Sequence, residues 1–203
     1  MGEDRHTSST VVKARIAIAG ANLDEIAPAE RAEAERLGLG EHRRAEWRAG
    51  RLAARAALEG LLGTAAAAGL VVAREEDGAP VVVGADVAVS ISHGRRWAVA
   101  AAGRVAKLGI DLCEVTRAPN VERIAQRFLH ADERALPRSA ADWALLWALK
   151  EAAAKVLRRG LFDGGLAASR VASLAPAAFT DPGFVASAEI GDDDCVAIVY
   201  RRA

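Results

Sequence analysis

Two long helical runs, each followed by short strand-like runs, constrain the fold of this chain more than any other feature. Glu41 to Leu62 and Ala140 to Arg158 are rich in alanine, leucine, arginine and glutamate and contain no proline, a composition that favours helix. The first is closed by Gly63, and a shorter helix from Ala29 to Leu37 by Gly38, glycine being the usual residue just past a helix end. Strand-like runs are Val11 to Ala19, Val71 to Ala73, Val81 to Val83, Val87 to Ser92, Trp97 to Ala102, Val105 to Asp111, Ser169 to Leu174, Phe184 to Ile190 and Val196 to Arg201. Trp97 to Ala102 and Val105 to Asp111, joined at Gly103-Arg104, read as a hairpin. Shorter helices are expected at Val121 to Phe128 and Ala131 to Leu136. Helices followed by strands in both halves, with hairpins rather than helical crossovers at the ends, predict an α+β fold with largely antiparallel sheets.

Composition removes several function classes. Hydrophobic residues make up 52% of the 203 positions and charged residues 27%, an ordinary globular balance large enough for a sizeable core. Lys plus Arg and Asp plus Glu are both 27, so no global field favours nucleic acid or an anionic membrane, and any anion site must be local. Cys113 and Cys195 are the only cysteines, too few for a disulfide framework or a structural zinc site, which points to a reducing, cytoplasmic setting. Residues 1–10 are polar and expected to be disordered, with no hydrophobic signal region. Apolar stretches such as Ala65 to Ala73 are too short and too glycine-broken to cross a bilayer, so a soluble protein with no membrane or nucleic-acid partner is expected. The run Asp192-Asp193-Asp194 reads as a hairpin tip rather than a calcium site.

Two short motifs carry the chemistry. Gly109-Ile110-Asp111-Leu112-Cys113-Glu114 places Asp111 at the end of an apolar run, a buried strand whose carboxylate would emerge at the end of a sheet. In Trp147-Ala148-Leu149-Lys150-Glu151-Ala152-Ala153-Ala154-Lys155, Trp147, Glu151 and Lys155 recur at i, i+4 and i+8 and share one helix stripe. A carboxylate there can hold Mg²⁺ and an ammonium can pair with phosphate. Alone, each motif has a plainer reading, a turn or cap aspartate and a solvated Glu–Lys pair. A third feature is the series Arg44, Arg48, Arg51 and Arg55, one stripe of the helix at 41 to 62, which reads either as a solvated basic face or as a phosphate grip.

Taken together and in order, these motifs resemble the phosphopantetheinyl transferases, specifically the larger single-chain type that activates peptide and polyketide synthases. The resemblance rests on the Gly-Ile-Asp strand, the Trp-x-x-Lys-Glu-x-x-x-Lys helix, the Ser92-His93 step, the Gly78-Ala79-Pro80 turn, and Gln126-Arg127-Phe128-Leu129 followed by Glu133. It covers roughly residues 41 to 161. It implies two similar subdomains, each a largely antiparallel sheet packed with a long helix, 11–116 and 117–203, with the active site in the cleft between them. It also implies Mg²⁺-dependent transfer of the 4′-phosphopantetheine arm from coenzyme A to a serine of apo acyl or peptidyl carrier proteins. By the same resemblance Asp111 and Glu151 are the metal ligands. Glu151, Lys155 and Glu133 are the catalytic candidates, and Arg43, Arg51, Ser92, His93, Asp111, Lys150 and Lys155 the coenzyme A contacts. Two positions depart from the pattern. Cys113 stands where many relatives carry a carboxylate, on the face of the strand that holds Asp111, while Glu114 points the other way. Ala79 stands where relatives often carry a basic residue. The alternative is a degenerate relative that binds coenzyme A or a carrier protein without turnover; a nucleic-acid-binding module fits the neutral charge poorly.

Overall fold

A computed structural model describes residues 10–22 and 26–202. In chain order the elements are β1 (Val11–Ala17), α1 (Pro28–Arg36), α2 (Glu41–Leu62), α3 (Thr64–Ala67), β2 (Val71–Arg74), β3 (Pro80–Val83), β4 (Ala88–His93), β5 (Trp97–Gly103) and β6 (Lys107–Glu114). Then follow α4 (Ala118–Phe128), α5 (Ala131–Arg134), α6 (Ala140–Leu157), β7 (Val171–Leu174), β8 (Ala177–Phe179), β9 (Val185–Ile190) and β10 (Asp194–Arg201). Two three-stranded antiparallel sheets, β1-β5-β4 and β6-β10-β9, are joined by two small ribbons, β2-β3 and β7-β8. The expected α+β class holds. The N-terminal disorder expected for residues 1–10 falls, for 1–9, outside the described residues.

Side-chain alternation along each central strand sorts the molecule into helix, sheet, sheet, helix. In β5, Ala100 and Ala102 pack in the core beneath α2, while Val99 and Ala101 pack against the second sheet. In β6, Leu108, Ile110 and Leu112 meet the first sheet, and Cys113 joins the core beneath α6. The period of two therefore places Gly109, Asp111 and Cys113 under α6. Both faces of these strands are covered, which explains why they read as unbroken apolar runs.

One expectation about the middle of the chain is corrected. β5 and β6 do not form a hairpin: β5 lies between β1 and β4, and β6 pairs with β10 over its whole length. The short link at Gly103-Arg104 carries the chain from one sheet to the other, because each strand buries both faces and has its partners already. The chain thus passes from one sheet to the other between Gly103 and Lys107, and β6 pairs in the second sheet.

Edges of the two sheets meet where β4 runs alongside β6. Ile110 N–H donates to Ser90 Oγ at 3.0 Å and Leu112 N–H to Ser92 Oγ at 3.4 Å. Two serine hydroxyls, two residues apart and so on one face, take the place of the carbonyls that another strand would offer. On the far side, Arg15 of β1 binds Asp194 of β10 through both carboxylate oxygens at 3.0 and 2.5 Å and stacks on Trp97.

Helix α6 lies unusually close to β6, and glycine permits it. A Cβ on Gly109 would meet the Ala152 carbonyl oxygen at 2.0 Å, a backbone clash that no rotamer relieves. Gly109→Ala should therefore lower unfolding free energy by roughly 3 kcal/mol, read as a lower midpoint in urea denaturation with activity lost in parallel. An unchanged midpoint would show that helix and strand can separate freely.

Candidate active site

The face of β6 under α6 gathers four of the expected residues, Ser92, Asp111, Glu151 and Lys155. Lys155 Nζ, two turns from Trp147 along α6, donates to Asp111 Oδ1 at 2.9 Å, to the Ile110 carbonyl at 2.7 Å and to the Ile91 carbonyl of β4 at 3.4 Å. Ser92 Oγ–H donates to the same Asp111 oxygen at 2.7 Å. Glu151, one turn before Lys155, accepts a hydrogen bond from Trp147 Nε1, and the Lys155 charge acts on it without a direct ion pair. Burial, and after it the nearby Asp111 carboxylate, pushes the Glu151 carboxyl up to about 7, leaving it half-protonated at neutral pH.

Cys113 shares that face. Burial drives its thiol up to about 12, so it is a neutral S–H, which is a poor ligand for a hard cation. Glu114 is turned away, its Oε1 accepting from Arg95 N–H at 2.7 Å, as an unbulged strand requires. Among the described residues no group of three or more His, Cys, Asp or Glu converges to cage a metal. The donor set is the two carboxylates Asp111 and Glu151, which suits Mg²⁺ with most of its coordination left to water and substrate oxygens. Arg117, absent from the sequence candidates, places its charge close enough to act on both Cys113 and Glu151. Its only sequence signal was its place where the two halves join.

A cavity of about 310 Å³ brings together the other expected group, Arg43, Arg51 and His93, with Trp47, Arg74, Ile91 and Pro80. Arg51 is buried, stacks on Trp47 at 4.8 Å from the ring centre and pairs with Glu33 at 3.3 Å. Burial lowers its pKa from the ordinary value, against the raising effect of Glu33 and Glu30. Arg55 lies 3.8 Å from Glu30. The arginine stripe is thus partly neutralised from within by two glutamates of α1, a pairing that separation in sequence concealed. His93 sits at the end of β4 with Nδ1 3.8 Å from Glu46. A larger cavity, about 900 Å³, adjoins the first through Gly78, Pro80 and Ile91 and reaches Lys155, Arg158 and Lys107 between the two halves. Arg43, Arg51, His93 and Lys155 therefore border one continuous cleft, with Asp111 held behind Lys155 at 2.9 Å.

Glu133 and Lys150 are placed elsewhere. Both are fully buried and bind each other at 2.7 Å. Lys150 also donates to the Ser169 carbonyl, and Glu133 accepts from Val171 N–H at 2.9 Å and His130 N–H at 3.2 Å. Neither is exposed and neither lines the cleft, so this packing gives the pair a structural role apart from those expected of Glu133 as a second acidic group and of Lys150 as a coenzyme A contact. Lys150 follows Leu149 and precedes Glu151, and the 100° step between neighbours on a helix turns it into the core. Burial lowers its pKa, and Glu133 counters that.

Family models match most of the chain in two consecutive segments. Residues 107–176 match the 4′-phosphopantetheinyl transferase superfamily and residues 35–103 the 4′-phosphopantetheinyl transferase N-terminal domain. The chain belongs to the 4′-phosphopantetheinyl transferase superfamily. The solved structures it is similar to include a holo-(acyl-carrier-protein) synthase from Bacillus anthracis in complex with CoA (3′,5′-ADP). That match has 27% identity over 46% of this chain and 92% of that one, with a TM-score of 0.40. No curated protein matches this chain.

Breaking the buried pair leaves an uncompensated charge in the core, so Lys150→Met should destabilise the fold by about 3–5 kcal/mol. Guanidinium unfolding monitored by circular dichroism measures it. A stable Lys150→Met variant defective only in coenzyme A binding would return Lys150 to the site.

Proposed function

We propose that this protein transfers the 4′-phosphopantetheine arm of coenzyme A to a serine of an apo carrier protein, and that it is of the larger single-chain type serving acyl or peptidyl carrier domains. The observation that carries the reading is Lys155, bound to Asp111 and one turn from Glu151, at one end of a cleft whose other end holds Arg43, Arg51 and His93. Both family matches standing in series on one chain support the larger type. Two free, buried thiols favour a reducing, cytoplasmic setting, and among the described residues no helix is long and apolar enough to cross a membrane.

In the reaction the serine oxygen bonds to the phosphorus that carries the pantetheine arm, and the bond from that phosphorus to the bridging diphosphate oxygen breaks. The products are holo carrier protein and adenosine 3′,5′-bisphosphate. Asp111 and Glu151 would hold Mg²⁺, which supplies charge neutralisation for the diphosphate. Glu151, deprotonated once it holds the metal, is the candidate to take the serine proton. Lys155 is the fixed cation for the phosphate oxygens that gain charge as the bond breaks. Ser92 holds Asp111 in orientation. Arg43, Arg51 and His93 bind the nucleotide end of coenzyme A. A non-catalytic coenzyme A-binding relative is the second reading, favoured by the neutral Cys113 thiol beside the carboxylates.

Intact-mass analysis of apo carrier proteins incubated with coenzyme A, Mg²⁺ and this protein tests the assignment, a gain of the phosphopantetheine mass being expected. Asp111→Asn and Glu151→Gln should each abolish that gain while circular dichroism stays native; near-normal modification by either would remove the metal-site reading. Cys113→Ala should modify carriers at close to the wild-type rate. Wild-type inactivity at every Mg²⁺ concentration, with coenzyme A still bound, would instead favour the non-catalytic relative.

Metal affinity should depend on pH through Glu151. Its raised pKa means that the carboxyl is protonated below about 7, and a metal must displace that proton. Mg²⁺ binding measured by calorimetry should thus weaken towards about tenfold per pH unit as pH falls below 7, and level off above it. A flat profile from pH 6 to 8 would exclude Glu151 as a ligand.

A further inference from the structure

Arg74 ends β2 and lines the 310 Å³ cavity beside Arg51, although nothing in the sequence reading singled it out. It is exposed and makes no ion pair among the described residues: of the three acids of its own turn, Glu75 and Asp77 bind Arg158 and Glu76 pairs with no cation. Its guanidinium rests on the turn at Gly78. A Cβ there would meet Arg74 Nη2 at 2.8 Å, and the φ of +84° at Gly78 is one that residues with a Cβ seldom adopt. Glycine thus both makes the turn and leaves the guanidinium its place.

The surroundings of Arg74 favour an anion. Arg43, Arg51 and His93 line the same cavity, and its lining carboxylate, Glu46, is shared between His42 at 3.1 Å and His93 at 3.8 Å. Arg74 lies close enough to Arg51 for its charge to oppose that of the neighbouring guanidinium. Two donors of residues lining this cavity, Trp47 Nε1 and Arg51 Nε, are buried with no acceptor. Gathered cations repel one another; a phosphate in the cavity offsets that repulsion. The adjoining Ala79 offers no charge, so the cation of this turn comes from the strand before it.

We propose that Arg74 is a coenzyme A-binding residue that grips the 3′-phosphate, the anionic group at the opposite end of the cleft from Lys155. This assignment rests on the coenzyme A reading given above. A guanidinium contact of this kind made at an exposed position changes affinity about tenfold.

Calorimetric titration of the full chain with coenzyme A and with 3′-dephospho-coenzyme A separates the possibilities. For wild type, coenzyme A should bind more tightly than the dephospho form. Arg74→Ala should weaken coenzyme A about tenfold and leave the dephospho form unchanged, and Arg74→Glu should weaken coenzyme A further. Unchanged coenzyme A affinity in both variants overturns the role of Arg74. An equal loss for both ligands overturns the 3′-phosphate assignment. If wild type binds neither ligand, the coenzyme A reading itself fails, and this assignment with it; because the two ligands are titrated into wild type first, that failure is distinguished from a failure confined to Arg74.

Discussion

The Lys155 ammonium stands where two sheets, one helix and one carboxylate meet. It reaches the Ile110 carbonyl on β6, the Ile91 carbonyl on β4 and the Asp111 carboxylate. A half-buried cation needs its hydrogen bonds satisfied, and here the acceptors come from both halves of the molecule. Holding β4 beside β6 fixes the distance between the Ser92-His93 end of one strand and Asp111 on the other. The cleft depends on that distance, since Arg43, Arg51 and His93 are carried by the first half and Lys155, with Asp111 behind it, by the second.

Two lysines five residues apart on α6 illustrate how one helix separates architecture from chemistry. Lys155 faces β6 and the cleft, whereas Lys150 turns into the core and binds Glu133. The buried pair ties α5 and the backbone before β7 to α6. It specifies how the second half packs without touching the site. Glu151 lies between the two lysines in sequence and binds Trp147, and partial withdrawal from water raises its carboxyl towards neutrality.

In the first half, charge is managed differently. Glutamates of α1 neutralise Arg51 and Arg55, while Arg43 and Arg74 face the smaller cavity without such partners among the described residues. The result is a local positive surface on a chain whose formal charge is zero. Ligand affinity can thus be localised without making the whole protein attractive to polyanions.

The long helices and the strand that ends near Asp111 were legible in the sequence because helix and strand are written in local periodicity. Trp147, Glu151 and Lys155 share a stripe by spacing alone, and Asp111 and Cys113 share a strand face for the same reason. A short link between apolar runs looks alike whether the chain turns back or passes to another sheet, so the hairpin expected at Gly103-Arg104 could not be told from the crossing that the structure contains. Pairing across the chain was hidden too. The partners that bury Glu133 with Lys150, set α1 against Arg51 and bring Arg74 over Gly78 lie 17, 18 and 4 residues apart. A residue's type fixes what it can bond to, but only packing decides which partner arrives and whether water is left between them. From sequence alone came the elements and the chemical repertoire of the cleft; tertiary structure decided which charges are spent on holding the fold and which stay open to a ligand, because that division is set by burial.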